Sequence, residues 1–345
     1  MSFIFYDLET SGLSAQWDVP LQAALIHTDA NLNTQAELSF RARLPAHIVP
    51  SPGALLVTGV TPAMLEQAPL SVGDMLGLIN RAFTEWAPST IVTYNGLRFD
   101  EEVLRHAFFT HLLPPYSTQG PGLKRADLLV MLRAVRLLEP NAVTIPIAAS
   151  GKPSMKLGDI CRANGITLHE DDAHDALADT RATLALFRHL REVAPKTIAL
   201  MLENAHKSGP AALLAGDEPI LLGGMTAMVP VIGIAPSPRN AAAWAVADLS
   251  LDPASYLDSP AEERGAADHE GAAADPVGQD QRPADPLWMG EWGAYPASRS
   301  PRRRGLPPAR APGPRSRRLP QEPAAGACQP VCRCRPIALA RGDAV

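Results

Sequence analysis

The stretch FYDLETSGL, residues 5–13, places two acids, Asp7 and Glu9, directly after an apolar run. The residues from Phe3 to Tyr6 have the pattern of a short buried strand, and the end of such a strand is a costly place for carboxylates. Two carboxylates this close repel and raise each other's pKa unless a positive charge lies between them. A bound divalent metal ion would supply that charge, whereas a surface turn after Glu9 is the alternative explanation.

The first 205 residues have the pattern of one α/β domain. After the strand that precedes Asp7, further strands are predicted at 21–29, 36–44 and 89–95, the last of them rich in β-branched residues. Strands followed by helices that alternate with one more strand indicate a mixed sheet with helices packed on it. Helical periodicity, with Thr61 as an N-cap and Pro62 at the first helical position, predicts helices at 61–68, 71–87, 99–113, 125–138 and 175–193.

The remainder of the chain divides into two further parts. Residues 206–264 are interpreted as a linker and a small β-rich module, with strands at 225–236 and 241–251. Residues 265–345 are rich in Pro, Ala, Gly and Arg and have no periodicity. Such a composition buries too little apolar surface to offset the entropy of ordering, so this tail is predicted to be disordered.

The composition excludes several classes of protein. The 345 residues are 46% hydrophobic and carry a net charge of −5, which fits a globular protein better than a generally basic nucleic-acid binder. Four cysteines, three of them close to the C-terminus, do not form the framework of a disulfide-rich secreted domain. The sequence shows neither an apolar run long enough to cross a membrane nor a signal peptide. We therefore expect a cytoplasmic protein that does not associate with membranes.

Two further acids and one histidine occupy positions at which they can join Asp7 and Glu9. Asp100 follows the strand at 89–95, while His174 and Asp179 lie at the start of the helix at 175–193. Active sites of open α/β sheets gather at such strand ends and helix starts. Taken singly, each has another explanation: a helix-dipole charge for Asp100, a solvated helix face for Asp179, and a cap for His174.

These residue types suit the hydrolysis of a phosphodiester. Two Mg²⁺ ions about 4 Å apart can activate water and stabilise the leaving oxygen, and Mg²⁺ prefers carboxylate ligands. A histidine whose pKa is near neutral can take the proton of the attacking water.

The motifs DLET, YNGLRFD and HDALAD resemble, in order and spacing, those of the DEDDh exonucleases, which have a ribonuclease H-like fold. Within that family, the stretches at 50–62, 94–109, 125–138, 153–166 and 173–186 are similar to bacterial exodeoxyribonuclease I. The resemblance extends over residues 2–205 and, more faintly, over 225–264. It implies a ribonuclease H-like mixed sheet flanked by helices, followed by a partial SH3-like module.

The resemblance also implies roles for individual residues. Asp7, Glu9 and Asp179 would hold two Mg²⁺ ions, and Asp100 would complete the set of metal ligands. Mn²⁺ can substitute for Mg²⁺. His174 would be the general base. Glu9 would also face the 3′-terminal nucleotide. The implied substrate contacts further include Lys156 and, in the segment LVTGVT that packs against the terminal bases, Thr58 and Gly59. Candidate residues for a basic groove are Arg98, Arg105, Lys124, Arg125 and Arg136, for each of which a solvated surface position is the alternative. Placement in the core is the alternative for Leu56 and Val60.

The implied reaction is processive release of 5′-mononucleotides from the 3′ end of single-stranded DNA, in DNA repair and recombination. The family is monomeric, and its implied partners are single-stranded DNA and the C-terminal tail of the single-stranded DNA-binding protein. An RNA-trimming DEDDh exonuclease and a nonenzymatic nucleic-acid-binding remnant are the alternatives.

The resemblance stops at about residue 264, where amphipathic periodicity is also lost. We interpret this change as a shift of reading frame in a GC-rich gene. On that interpretation the chemistry is retained, whereas processivity and docking of the partner's tail are expected to suffer.

Overall fold

The computed structural model describes residues 2–167, 175–206, 209–223, 228–238, 240, 243–252 and 335–338. Within these ranges the chain forms a six-stranded mixed sheet and a four-stranded antiparallel sheet. The strands of the six-stranded sheet are β1 (Ser2–Thr10), β2 (Pro20–Thr28), β3 (Thr34–Arg43), β4 (Leu70–Ser71), β5 (Ser89–Thr93) and β6 (Leu123–Asp127).

The six-stranded sheet has the order β4-β3-β2-β1-β5-β6, so β1 lies in its interior. β1 pairs antiparallel with β2 and parallel with β5, which in turn pairs parallel with β6. Because parallel strands end at the same edge of a sheet, the ends of β1, β5 and β6 meet there. This edge receives Asp7 and Glu9 from β1, the segment leading to Asp100 from β5, and Asp127 from β6.

Several helices begin at a residue whose side chain caps them. Ser71 and Asp74 form a reciprocal capping box at the start of one helix, and Thr61 caps another that has Pro62 in its first turn. The helices are α1 (Pro52–Thr58), α2 (Pro62–Gln67), α3 (Val72–Glu85), α4 (Asp100–Thr110), α5 (Leu128–Leu138), α6 (Leu157–Ala163), α7 (Ala176–Val193), α8 (Pro195–Glu203) and α9 (Gly209–Leu214).

Alternate side chains of β1 enter two hydrophobic cores on opposite faces of the sheet. Phe3 and Phe5 pack with residues of α5 and α7, whereas Ile4, Tyr6 and Leu8 pack with residues of α3 and α4. Successive side chains of a strand point to opposite faces. Asp7 and Glu9 therefore continue the face of Phe3 and Phe5, which α7 covers.

The mixed sheet with flanking helices confirms the α/β part of the predicted fold class, whereas the SH3-like module stays a prediction. The prediction of a helix over 125–138 is wrong at its start, because Leu123–Asp127 is a strand and α5 begins at Leu128. The residues of this strand give no strong strand pattern of their own, and their conformation comes from parallel pairing with β5. β1 also extends to Thr10, beyond its predicted end at Tyr6.

The second sheet consists of β7 (Ile220–Gly223), β8 (Met228–Pro236), β9 (Ala243–Asp248) and β10 (Arg335–Ala338), in the order β10-β9-β8-β7. Leu214 of α9 packs with Leu222, Val231 and Val246 in its small core. The strands predicted at 225–236 and 241–251 are confirmed as β8 and β9.

The proposed tail at 265–345 lies largely outside the described residues, so its disorder stays a prediction. The stretch that the structure does describe, β10, forms a strand paired with β9, which disagrees with disorder at those four residues. The domain boundaries at 205 and 264 also stay predictions. Among the described helices, none combines the length and the apolar character that crossing a membrane requires.

Phe187 attaches α7 to the centre of the sheet. Its ring is fully buried and lies edge-on to the rings of Phe3 and Phe5, at centroid distances of 5.3 and 5.5 Å. We expect Phe187→Ala to lower the free energy of unfolding by about 3–5 kcal/mol, because it leaves a cavity under α7. Urea denaturation measures this loss.

The control for that prediction is Leu200→Ala, which truncates a side chain of α8 that is 54% exposed. Its effect is expected to stay below about 1 kcal/mol. Equal losses in the two variants would contradict the anchoring role of Phe187.

Candidate active site

Three carboxylates from two elements converge at the edge of the sheet. Asp7 and Glu9 lie two residues apart on β1, and Asp179 lies in the first turn of α7. Each contributes a carboxylate oxygen, and these oxygens all lie within 4.8 Å of one another. Glu9 is buried, whereas Asp7 and Asp179 are half-buried, so the cluster remains open to a ligand. The structure thus brings together three of the predicted site residues.

Asp100 stands beside this cluster as the first residue of α4. It is buried, as are Glu101 and Glu102 in the same helical turn. It follows β5, whose end lies at the same sheet edge as the end of β1, and its negative charge raises the pKa of both Asp7 and Glu9. The structure therefore adds the fourth predicted acid to the same edge.

The pKa values of Asp7 and Glu9 are raised by burial first and by the charges of neighbouring acids second. Burial raises the pKa of Asp7 well above its usual value, and the charges of Asp100 and Asp179 raise it further. Burial, followed by the charges of Asp179 and Asp100, raises the pKa of Glu9 to about 8. The pKa of Asp100 is raised mainly by burial. Without a cation, the cluster therefore retains protons near neutral pH.

The donor set fits a divalent metal ion. Hard carboxylate oxygens are the ligands that Mg²⁺ and Mn²⁺ prefer, and a nearby cation reverses the repulsion that raises these pKa values. The rigid elements carrying Asp7, Glu9 and Asp179 hold the oxygens close together, although their charges repel. The cluster fits such an ion better than it fits the alternative of a surface turn, because β1 continues through both of its acids.

A fifth acid, Asp175, was not singled out from the sequence. Its Oδ1 accepts hydrogen bonds of 3.0 and 3.4 Å from backbone N–H groups in the first turn of α7, so it is the N-cap of that helix. Its Oδ2 accepts a 2.7 Å hydrogen bond from Nε2 of Gln22, which lies opposite Glu9 across the pairing of β1 and β2. Arg41 donates to Oε1 of Gln22 at 3.1 Å.

Asp175 therefore fixes the start of α7 to the sheet beside the acids. An Asp directly before a helical pattern is a sequence signal for the cap. No local signal indicates the contact with Gln22. His174, the predicted general base, lies in the segment 168–174, outside the described residues, and its role stays a prediction.

The predicted substrate contacts are accessible to different extents. Lys156 is exposed at the N-cap of α6. Gly59 has φ = +65° at the end of α1, a backbone conformation that favours glycine, and Oγ1 of Thr58 accepts a 3.3 Å hydrogen bond from the N–H of Val60. Thr58 and Gly59 thus shape this turn. Their contacts with a nucleotide stay predictions.

The structure decides whether Leu56 and Val60, in the segment LVTGVT, are core residues. Val60 is 3% exposed and belongs to a small hydrophobic core, which confirms it as a core residue. Leu56 is 84% exposed, so the core explanation is wrong for it.

Arg125 is engaged inside the protein, contrary to its expected place in a basic groove. Its side chain is 12% exposed, and its Nη1 lies 3.1 Å from Oε2 of the buried Glu101. Arg105 pairs with Glu102, and its guanidinium lies 5.9 Å from the ring centre of Tyr116. These contacts give both arginines a structural role.

A family model described as Exonuclease matches residues 4–187, the span that contains all four predicted metal ligands. The chain belongs to the exonuclease family. Exodeoxyribonuclease I of Haemophilus influenzae is 33% identical over 255 residues, which are 73% of this chain and 52% of the relative. The chain thus spans about half the length of the curated relatives that it matches.

Solved structures show the same similarity. Exonuclease I from Methylocaldum szegediense has a TM-score of 0.68 and 36% identity, covering 76% of this chain and 57% of that one. A zinc-bound complex of Escherichia coli exonuclease I with single-stranded DNA has a TM-score of 0.66 and 30% identity, covering 74% and 56%.

We expect the metal-free protein to lose stability as the pH rises from about 5 to about 8. The pKa of Glu9 is about 8 in the folded protein against 4.5 ordinarily, so the folded chain binds this proton more tightly than the unfolded chain. Ionisation across that window therefore costs folding free energy. The melting temperature of EDTA-treated protein, followed against pH, measures the effect.

Glu9→Gln is the matched comparison, because it keeps the shape of the side chain and removes its titration. Its melting temperature is expected to fall less over the same pH window. Mg²⁺ is expected to raise the melting temperature of the wild type more at the upper end of the window, where the ligands lose their protons more readily. Identical pH profiles for Glu9→Gln and the wild type would contradict this account.

Proposed function

We propose that this chain is a 3′–5′ exonuclease that hydrolyses single-stranded DNA to 5′-mononucleotides. The observation that carries the proposal is the convergence of Asp7, Glu9 and Asp179 within 4.8 Å, with Asp100 beside them. The named activity of the curated relatives supports DNA as the substrate, and the complex of the Escherichia coli protein with single-stranded DNA supports a single strand.

Asp7, Glu9 and Asp179, with Asp100, are the residues that would hold the metal ions. Divalent ions at this position would lower the pKa of water and stabilise the negative charge that develops on the phosphate. Burial of the carboxylates, partial for Asp7 and Asp179, strengthens their attraction for a cation, because water screens it less. We assign His174 the transfer of a proton from the attacking water.

The products follow from the bond that is broken. Attack on the last phosphodiester, with cleavage of its bond to the 3′ oxygen, leaves a 3′-hydroxyl on the shortened strand. The released nucleotide keeps the phosphate on its 5′ oxygen. The site therefore needs to accommodate one free 3′ end, and we assign its recognition to Glu9, Lys156, Thr58 and Gly59.

We propose Mg²⁺ as the physiological ion and Mn²⁺ as a substitute. The all-carboxylate donor set supports both, and the zinc-bound relative supports a divalent ion in this family. We also assign β7 to β9 to an SH3-like module, which their antiparallel pairing around a small core supports. The monomeric state, the role in DNA repair and the docking of the partner's tail stay predictions from the resemblance, and the cytoplasmic location stays a prediction from the sequence.

The proposal is tested with single-stranded DNA labelled at its 5′ end and with RNA of the same sequence. We expect DNA to shorten from its 3′ end in the presence of Mg²⁺ and to persist with EDTA. Asp179→Asn should slow the reaction roughly 100-fold or more, because it removes a charge on which the metal ions depend. Glu192→Gln, which removes an exposed charge near the far end of α7, should leave the rate unchanged.

Three other results would contradict parts of the proposal. RNA shortened faster than DNA would replace the proposed substrate with RNA. Persistence of both nucleic acids with folded wild-type protein would contradict a nuclease altogether. A rate lost equally in Asp179→Asn and Glu192→Gln would show that the acidic cluster is not the active site.

A further inference from the structure

The segment Tyr94–Phe99, here called the β5–α4 loop, delivers Asp100 to the acidic cluster. Its residue Asn95 has a φ of +60°, an uncommon conformation for a residue other than glycine. The carbonyl of Gly96 accepts hydrogen bonds from the N–H groups of Phe99 and Glu101, at 3.2 and 2.9 Å. The loop therefore turns tightly into α4.

Gly96 packs directly against the carboxylate that the loop delivers. A Cβ atom added at Gly96 would lie 2.8 Å from Oδ2 of Asp100 and 2.6 Å from Cβ of Thr93. Real Cβ atoms do not make contacts that short, so any larger residue at this position would clash. The backbone at Gly96 therefore lies directly beside the carboxylate of Asp100. The position of this carboxylate is consequently sensitive to the position of the loop.

Asp127 holds the loop from the neighbouring strand. It is the last residue of β6 and is 7% exposed. Its Oδ1 accepts hydrogen bonds from the N–H groups of Asn95, at 3.0 Å, and Leu129, at 2.9 Å. Its Oδ2 accepts a longer one, of 3.4 Å, from the N–H of Leu97. One carboxylate thus joins the loop to the start of α5.

These contacts exceed what an N-cap requires. A capping side chain accepts hydrogen bonds from the first turn of its own helix, as the bond to Leu129 does. The bonds from Asn95 and Leu97 come instead from a loop about 30 residues away in the chain. A buried carboxylate at a cap is costly, and a polar uncharged residue would cap α5 without that cost.

We propose that Asp127 is a positioning residue for the metal centre, which holds the β5–α4 loop and through it keeps Asp100 in place. Asp127 acts on the loop backbone and not on the reacting atoms. The inference rests on the proposed function for its consequences in catalysis, whereas the effect on the loop itself is independent of any activity.

The test compares the full-length wild type with Asp127→Ala, Asp127→Asn and Val135→Ala. Val135 is fully buried on α5, and its truncation lowers stability through a cavity without removing a hydrogen bond to the loop. Two readouts are made at a temperature at which all variants are folded. The first is amide hydrogen exchange of the β5–α4 loop, and the second is the Mg²⁺ dependence of exonuclease rate, with kcat and KM for DNA.

We expect Asp127→Ala to accelerate exchange at Asn95 and Leu97. It should also raise the Mg²⁺ concentration for half-maximal rate, or lower kcat, by about 10- to 100-fold, the range found for residues that orient metal ligands. KM for DNA should stay unchanged. Asp127→Asn keeps one oxygen that can accept from Asn95 and Leu129, so its losses should be smaller. Val135→Ala should match the wild type in both readouts.

Unchanged exchange at Asn95 and Leu97 in Asp127→Ala would overturn the inference whether or not the protein is active. Faster exchange with an unchanged Mg²⁺ requirement and kcat would overturn the link to the metal centre and leave Asp127 as a structural cap. An inactive wild type would contradict the proposed function alone, because the exchange readout still decides whether Asp127 holds the loop. If Asp127→Ala fails to fold, Asp127→Asn decides both questions.

Discussion

Asp7, Glu9 and Asp179 repel one another, and the domain is built to hold their oxygens within 4.8 Å despite that repulsion. Partial burial strengthens the repulsion because fewer water molecules screen the charges. The acids stay together because each is carried by an element that is fixed elsewhere. β1 is paired on both of its sides, and α7 is packed onto it through Phe187 and the rings of Phe3 and Phe5. Apolar burial thus stabilises an arrangement that electrostatics alone would disperse.

Two more acids, Asp175 and Asp127, support the arrangement in the same way from different positions. Each caps a helix and also accepts a hydrogen bond from a second element. Asp175 joins the start of α7 to Gln22 of β2, and Asp127 joins the start of α5 to the β5–α4 loop. The edge of the sheet is therefore held by capping residues that reach across elements.

When it is ionised, the acidic cluster carries charge of the same sign as a DNA strand. The chain has a net charge of −5, and Arg125, one of the arginines expected to face DNA, is engaged with Glu101 inside the domain. Divalent ions at the cluster would therefore serve two purposes, because they neutralise the carboxylates and attract the phosphate of the substrate. The binding of metal and that of the strand are in this way coupled through the same charges.

The sequence by itself determined the features whose signals are local. Periodicity predicted the mixed α/β fold, and the positions of Asp7, Glu9, Asp100 and Asp179 at strand ends and helix starts predicted one acidic site. Only the tertiary structure decided that Leu123–Asp127 is a strand, because its conformation depends on pairing with β5.

Likewise, the contacts from Asp175 to Gln22 and from Asp127 to Asn95 join residues 153 and 32 positions apart. A hydrogen bond to a distant partner leaves no periodic trace in the sequence around either residue. The acids that would bind metal were therefore visible as a motif, whereas the acids that hold them in place became visible only once the chain was folded.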